Sequence, residues 1–302
     1  MIKATADLHL HSFYSDGSQS PEEMVARAHA FGYEFCALTD HDGTGGVKRA
    51  LAEGRRLGIK VLRGIELSSE HVAELPGYPE NRYFMHILGY GIDVEDPELN
   101  DALEHIIERR FVRNEQIREA FKRKGIEISL EELQSYTPQG FVGKPSFARV
   151  LKARGLVSDL AEAFKDPRYL GDPEIRAIRK DKISAELALK LIRGAGGMAF
   201  FAHPYQLSYE THGMQDSEDV YRDKLALVVK DLARLGMRGI EACYPTHNSG
   251  QRDFALDLAK ANGLLVSRGS DDHGLGVRPV KQMGPFRAEI DPSLLSWVKD
   301  II

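Results

Sequence analysis

Metal-ligand side chains recur at the ends of short apolar runs, and this pattern constrains the 302-residue chain more than any other feature. ADLHLHSFYSDGS (6–18) carries His9, His11 and Asp16, and ALTDHD (37–42) carries Asp40 and His41. GIELS (64–68) brings Glu66, MHILGY (85–90) His86, FAHP (201–204) His203, and GSDDHG (269–274) Asp271 and His273. His247 follows the run GIEACYP by a few residues. A strand that ends on such a residue delivers it to one face of a sheet. In a β/α barrel, the C-terminal ends of all the strands converge on a single mouth. Residues scattered over most of the sequence are therefore expected in one pocket.

The stretches between these runs support that architecture. SPEEMVARAHAFG reads as a helix with Ser20 as N-cap, Pro21 in the first turn, Glu23 completing a capping box and Gly32 at the stop. GVKRALAEGRRLG, SAELALKLIRGAG, DKLALVVKDLARLG and QRDFALDLAKANG alternate with the apolar runs, giving seven predicted strands in parallel β/α order. From 96 to 181 the rhythm stops. DPELNDALEHIIERRFVRNEQIREAFKRKG has helical spacing, and SLEELQSY, PSFARVLKARG and VSDLAEAF add shorter helical pieces. The fold expected is α/β, a distorted seven-stranded barrel built from 1–95 and 182–302. Residues 96–181 form a helical insertion lying as a lid over the C-terminal face.

A net charge of -5 exerts no broad pull on nucleic acid or acidic membranes, so no long nucleic acid and no membrane are expected as partners. No apolar run approaches the roughly 20 residues of a spanning helix. MIKATADLHLH lacks the basic start and apolar core of a signal peptide. Only Cys36 and Cys243 occur, which fits buried thiols in a reducing, cytoplasmic setting and no disulfide framework.

Imidazole mixed with carboxylate suits Mn2+, Zn2+ or Fe2+ better than Ca2+ or Mg2+ alone. So many donors exceed the needs of one ion, and two or three divalent ions sharing a bridging Glu66 are expected. His9 and His11, two apart on a strand, face the same side. His29, His71, His105 and His212 lie outside the pattern and read as ordinary core or surface side chains.

The motifs DLHLHSFYSDGS, ALTDHDGTGG, GIELS, MHILGY, FAHP and GSDDHG resemble those of the PHP (polymerase and histidinol phosphatase) family. GIEACYPTHN and FVGKPSFARVL resemble more narrowly its phosphoesterases of nucleotides and small metabolites. The resemblance implies one metal held by His9, His11, Glu66 and Asp271, a second by Glu66, His86 and His203, and a third by Asp16, His41 and His273. Asp16 stands where some relatives carry histidine. Gly143-Lys144-Pro145-Ser146 stands where close relatives carry Gly-Arg-Pro-His.

The implied reaction is hydrolysis of a phosphate mono- or cyclic diester of a small metabolite by a metal-bridging hydroxide. Metal coordination lowers the pKa of water from 15.7 to about 7. Lys144, Arg179, Lys182 and His247 are the expected phosphate contacts. His247, then Asp40, is the expected proton donor to the leaving group. A 5'-3' nuclease on short nucleic acids, and a metal or phosphometabolite sensor without catalysis, are the alternatives.

Overall fold

The computed structural model describes residues 5–136, 141–209, 216–278, 280–286 and 289–302. Its strands are β1 (Ala6–Leu10), β2 (Phe35–Leu38), β3 (Lys60–Ala73), β4 (Asn81–Tyr90), β5 (Ile183–Ser184), β6 (Met198–Phe201), β7 (Ser208–Tyr209), β8 (Gly239–Cys243) and β9 (Leu265–Arg268). The main sheet runs β1-β2-β3-β4-β6-β8-β9, with the short β5 and β7 added on β3 and β4. The seven strands of that path are the seven runs read from sequence. Leu10, at the end of β1, forms an isolated parallel bridge with Asp272 in the loop after β9, and the His11 amide donates to the Asp272 carbonyl at 2.9 Å.

One expectation is corrected. The strand order is not parallel throughout, because β4 runs antiparallel to both β3 and β6. Only residues 74–80 join β3 to β4, and a parallel crossover needs a dozen residues or more. The chain instead turns back at Gly77, whose φ of 84° lies in the left-handed region, with the Tyr78 amide donating to Leu75.

Helices α1 (Pro21–Ala30), α2 (Val47–Leu57), α3 (Pro97–Arg123), α4 (Leu130–Gln134), α5 (Lys144–Ala153), α6 (Leu160–Lys165), α7 (Pro173–Ala177), α8 (Ala185–Gly194), α9 (Glu218–Arg234) and α10 (Ser249–Ala261) complete the fold. The Ser20–Glu23 capping box read from sequence starts α1. Burying the apolar faces of the sheet, α8, α9 and α10 makes the main core. Ile117, Phe121, Phe147, Leu151, Leu170 and Ile175 form a second, separate apolar cluster inside the segment expected as an insertion. The 27-residue α3 joins the two, with Leu99, Leu103 and Ile106 in the main core and its second half in the other. Among the described residues, no helix is long and apolar enough to cross a membrane.

Candidate metal centre

The site is assembled around Glu66. It lies midway along β3, fully buried, beside His41, which forms an isolated parallel bridge with it. His41 Nδ1 stands 2.9 Å from one Glu66 oxygen, and His9 Nε2 and His11 Nε2 stand 3.2 Å from the same atom. The other oxygen faces His86 Nδ1 at 2.9 Å and His203 Nε2 at 3.0 Å. His86 reaches it from the middle of the antiparallel β4, where its Cα pairs with that of Ser68. It is therefore a cross-strand neighbour and not a strand-end residue. Asp271 lies 3.2 Å from His11 and 3.4 Å from His273, and Asp16 lies 3.1 Å from His273 and 3.9 Å from His41.

These donors fit metal ions. His9 Nε2, His11 Nε2, Asp16 Oδ1, His41 Nδ1, Glu66 Oε2 and His273 Nε2 are buried without hydrogen-bond partners, an arrangement that costs several kcal/mol unless a cation compensates it. Three sets hold ligand atoms within 4.8 Å of one another: His9, His11, Glu66 and Asp271; His11, Asp16, His41 and His273; His41, Glu66 and His86. The first set is the quartet the resemblance implied. Across the three sets His11, His41 and Glu66 each occur twice, and His203 approaches only through Glu66.

Burial pushes the carboxyls of Asp16, Glu66 and Asp271 upward. The crowd of histidines outweighs it and holds all three well below the usual range, so they are anionic. Burial pushes His41 down to about 4 and lowers His203 and His273 as well, keeping these imidazoles neutral and able to coordinate. His11 goes the other way. Burial works against its charge, but the Asp271 and Glu66 carboxylates, each 3.2 Å from Nε2, lift it to about 9, and it must release that proton to act as a ligand.

The surrounding chain fixes these side chains. Glu241 on β8 faces His9 Nδ1 at 3.0 Å with one oxygen and accepts the His203 amide at 2.8 Å with the other. Tyr244 donates to Asp271 at 2.7 Å. Asp42, His203 and Asp271 all have positive φ (49°, 30° and 54°), a strain on the order of 1–3 kcal/mol each that the packed surroundings sustain. Sequence reading gave no role to Glu241 or Tyr244, although Glu241 lies at the middle of β8 within the quoted GIEACYP.

Beside the cluster lies a cavity of about 210 Å³, walled by Asp16, His41 and His86 on one side and by Arg113, Lys144 and Lys182 on another. Arg110 and Lys180 also line it, both bound to the Asp42 carboxylate, Arg110 at 2.6 Å. Arg113 has no such partner. It is 8% exposed, no acceptor among the described residues takes its N–H groups, and burial next to Arg110 lowers it to about 10. Lys144 donates to the Ile175 carbonyl at 3.0 Å, and burial, then Arg113 and Arg176, lower it to about 8. Two further cations reach the cluster itself, Lys281 at 2.5 Å from Asp271 and Arg278 at 3.2 Å from Asp16.

Of the residues expected to contact phosphate, Lys144 and Lys182 line this cavity and Arg179 does not. It stacks near Phe84 and lines an outer groove with Phe111 and Glu174. His247 also falls outside the cavity wall. It is buried behind Tyr244 and Tyr205, with Nδ1 on the Ala242 carbonyl at 3.0 Å. Asp40 is fully engaged elsewhere, accepting from the Ser12 amide and hydroxyl at 2.7 Å and the Ser15 hydroxyl at 2.6 Å. It orders the loop after His11 and has no free oxygen for a leaving group, contrary to the expected proton donor. Among the other histidines, His71 pairs with Asp231 and His105 with Glu108, His29 is exposed, and His212 lies outside the described residues. Cys36 and Cys243 are both buried, and the Cys243 thiol donates to a Glu289 carboxylate oxygen at 3.5 Å.

Residues 7–170 match the PHP domain. The chain is 34% identical over 276 residues to a 3',5'-nucleoside bisphosphate phosphatase of Chromobacterium violaceum, covering 90% of this chain and 88% of that one. It is 31% identical over 267 residues to a 5'-3' exoribonuclease of Haemophilus influenzae, covering 88% and 89%. The solved structure of an amidohydrolase from Chromobacterium violaceum superposes with a TM-score of 0.76 at 29% identity, over 99% of this chain and 96% of that one. The chain belongs to the PHP family, as a metal-dependent phosphoesterase.

Proposed function

We propose that this phosphoesterase hydrolyses a phosphate ester on a small metabolite that carries a second phosphoryl group, with two or three Mn2+, Zn2+ or Fe2+ ions bound. The observation that carries this reading is a small cavity with the histidine–carboxylate cluster on one wall and, on another, Arg113 and Lys144, neither of which pairs with a carboxylate among the described residues. At roughly 30 Å³ per water it holds about seven waters' volume. A ligand seated at the cluster is therefore within one small molecule's reach of the cations. The relative named as a 3',5'-nucleoside bisphosphate phosphatase supports the same reading.

In this reading His9, His11, Glu66 and Asp271 hold one ion, Asp16, His41 and His273 another, and Glu66, His86 and His203 a further one. When bound, such ions make hydroxide available near neutral pH and offset charge on the phosphoryl oxygens. The chain does the rest. Glu241 and Tyr244 orient His9 and Asp271, and Asp40 fixes Ser12 and Ser15 beside His11. Arg278 and Lys281 add positive charge at the reacting end, while Arg113, Lys144 and Lys182 hold the distal anion. Phe141, Gly143 and Pro145 of the 96–181 segment wall the cavity, so that segment serves as the lid that excludes water.

Phosphate release with Mn2+ from matched substrates tests this. Nucleoside bisphosphates are expected to turn over faster than the corresponding monophosphates. Turnover confined to oligonucleotides would favour the exonuclease reading, which the Haemophilus influenzae relative supports. Ligand binding without any turnover would identify a sensor.

A further inference from the structure

The 96–181 segment grips two loops at the mouth of the metal centre. On α5, the Arg149 guanidinium donates to the Asp16 carbonyl at 2.7 Å and to the Gly17 carbonyl at 3.4 Å. Arg110 of α3 and Lys180, three residues before β5, meet on the Asp42 carboxylate, Arg110 at 2.6 Å. Asp42 follows His41 directly, and its amide donates to the Glu66 carbonyl at 2.9 Å. Asp16 and His41 are thus each held through the backbone at or beside them. Both belong to one ligand set, the one completed by His11 and His273.

Both grips fall on tightly held backbone. The Gly17 amide donates to the Ser12 carbonyl at 3.0 Å, and any Cβ on Gly17 would meet the His11 carbonyl at 2.5 Å. Asp42 sits at a φ of 49°, a conformation its surroundings must sustain. Among the described residues, α4 to α7 add nothing to the main core and pack in their own apolar cluster. Polar contacts such as that of Arg149 therefore seat this part of the segment on the mouth. Asp16 stands 3.1 Å from His273 but 3.9 Å from His41, so the wider gap lies between the two gripped loops. By contrast His9, Glu66 and His86 lie inside β1, β3 and β4, where the sheet fixes them.

We infer that Arg149, Arg110 and Lys180 are positioning residues for the ion of His11, Asp16, His41 and His273, so that seating the 96–181 segment and filling this one site are coupled. The coupling is reciprocal: the segment tightens the site, and the ion tightens the segment by the same factor. The inference rests on the metal-dependent reading of the cluster and assigns the segment to one of its ions.

Elemental analysis of Mn2+-loaded protein after dialysis, and hydrogen exchange of the α5 amides with and without Mn2+, read the two sides of this linkage. In wild type, Mn2+ is expected to slow α5 exchange about tenfold or more. Arg149→Met is expected to retain about one ion fewer per chain and to lose that protection. Arg149→Lys keeps a charged donor and is expected to recover most of the lost ion. Lys180→Met acts at the other grip and is expected to cost the same ion, so a misfolded variant at one grip leaves the test intact. Asp16→Ala removes the ligand but keeps the carbonyl that Arg149 holds, and is expected to abolish the α5 response to Mn2+. Equal retention in wild type and the grip variants, loss of all ions together, or α5 exchange indifferent to Mn2+ overturns the inference. No arm measures bond cleavage, so absent turnover would sink the enzymatic reading and leave this result standing.

Discussion

Arg113→Met should stabilise the ligand-free protein and impair it toward a doubly phosphorylated substrate. The guanidinium is buried, and burial together with the neighbouring Arg110 lowers its pKa by more than two units, to about 10. At 1.36 kcal/mol per unit that shift corresponds to about 3 kcal/mol against the charged state. Methionine fills similar space without the charge, and exchanges of this kind gain about 1–4 kcal/mol. A net gain of about 2 kcal/mol raises Tm by about 4 °C in a chain of this size. Thermal unfolding of wild type and variant at matched metal content measures it. Inorganic phosphate should raise the Tm of wild type more than that of the variant, since only wild type offers the distal site. In kinetics, loss of a charge-assisted contact to a phosphate costs about 2–5 kcal/mol, so kcat/KM for a bisphosphate should fall at least thirtyfold. The monophosphate should be hydrolysed as before. A variant that melts several degrees below wild type, or that loses both activities equally, would show that Arg113 is paired in the free protein and that the reasoning is wrong.

Lys144, lowered to about 8, binds a distal phosphate only while charged, below that pKa. So log kcat/KM for a bisphosphate should fall as pH rises through about 8, and Lys144→Arg should remove that limb from the profile. The same shift makes the folded state release its proton before the unfolded one, so Lys144 adds stability as pH rises from about 8 toward 10.5; urea titrations of wild type and Lys144→Met over that range read it. Asp42→Asn leaves Arg110 and Lys180 without their shared carboxylate and should lower unfolding free energy by about 3 kcal/mol in urea. Glu241→Gln should keep the fold and weaken metal retention about 10- to 100-fold, read by elemental analysis after dialysis, because glutamine offers one acceptor oxygen where His9 and the His203 amide each use one.

The metal-ligand candidates were legible in the sequence because each sits at or near an apolar run, where strand geometry dictates convergence. His86 belonged to the pattern for a different reason, since β4 passes the mouth in the opposite direction. The short Leu75-Pro76-Gly77-Tyr78 link was the available sign of that reversal. The cations were harder to see. Arg110 and Arg113 lie on the buried face of α3 beside Ile106, Asn114 and Ile117. Helical spacing reads those positions as core, and arginines within an apolar stripe were the signal that went unused. His247 and Asp40 looked catalytic because they flank strand ends, yet loop packing turns one behind Tyr244 and ties the other to serines. Proximity in sequence to a strand terminus fixes the end of the fold a residue occupies, but not the direction its side chain takes.

The central claim is that buried imidazoles and carboxylates gather transition metals to attack phosphorus. Elemental analysis of never-chelated protein, paired with phosphate-release assays before and after chelation, addresses it most directly. Two or three such ions per chain are expected, with hydrolysis abolished by their removal and restored by Mn2+. Less than one ion per chain together with undiminished hydrolysis would contradict the account.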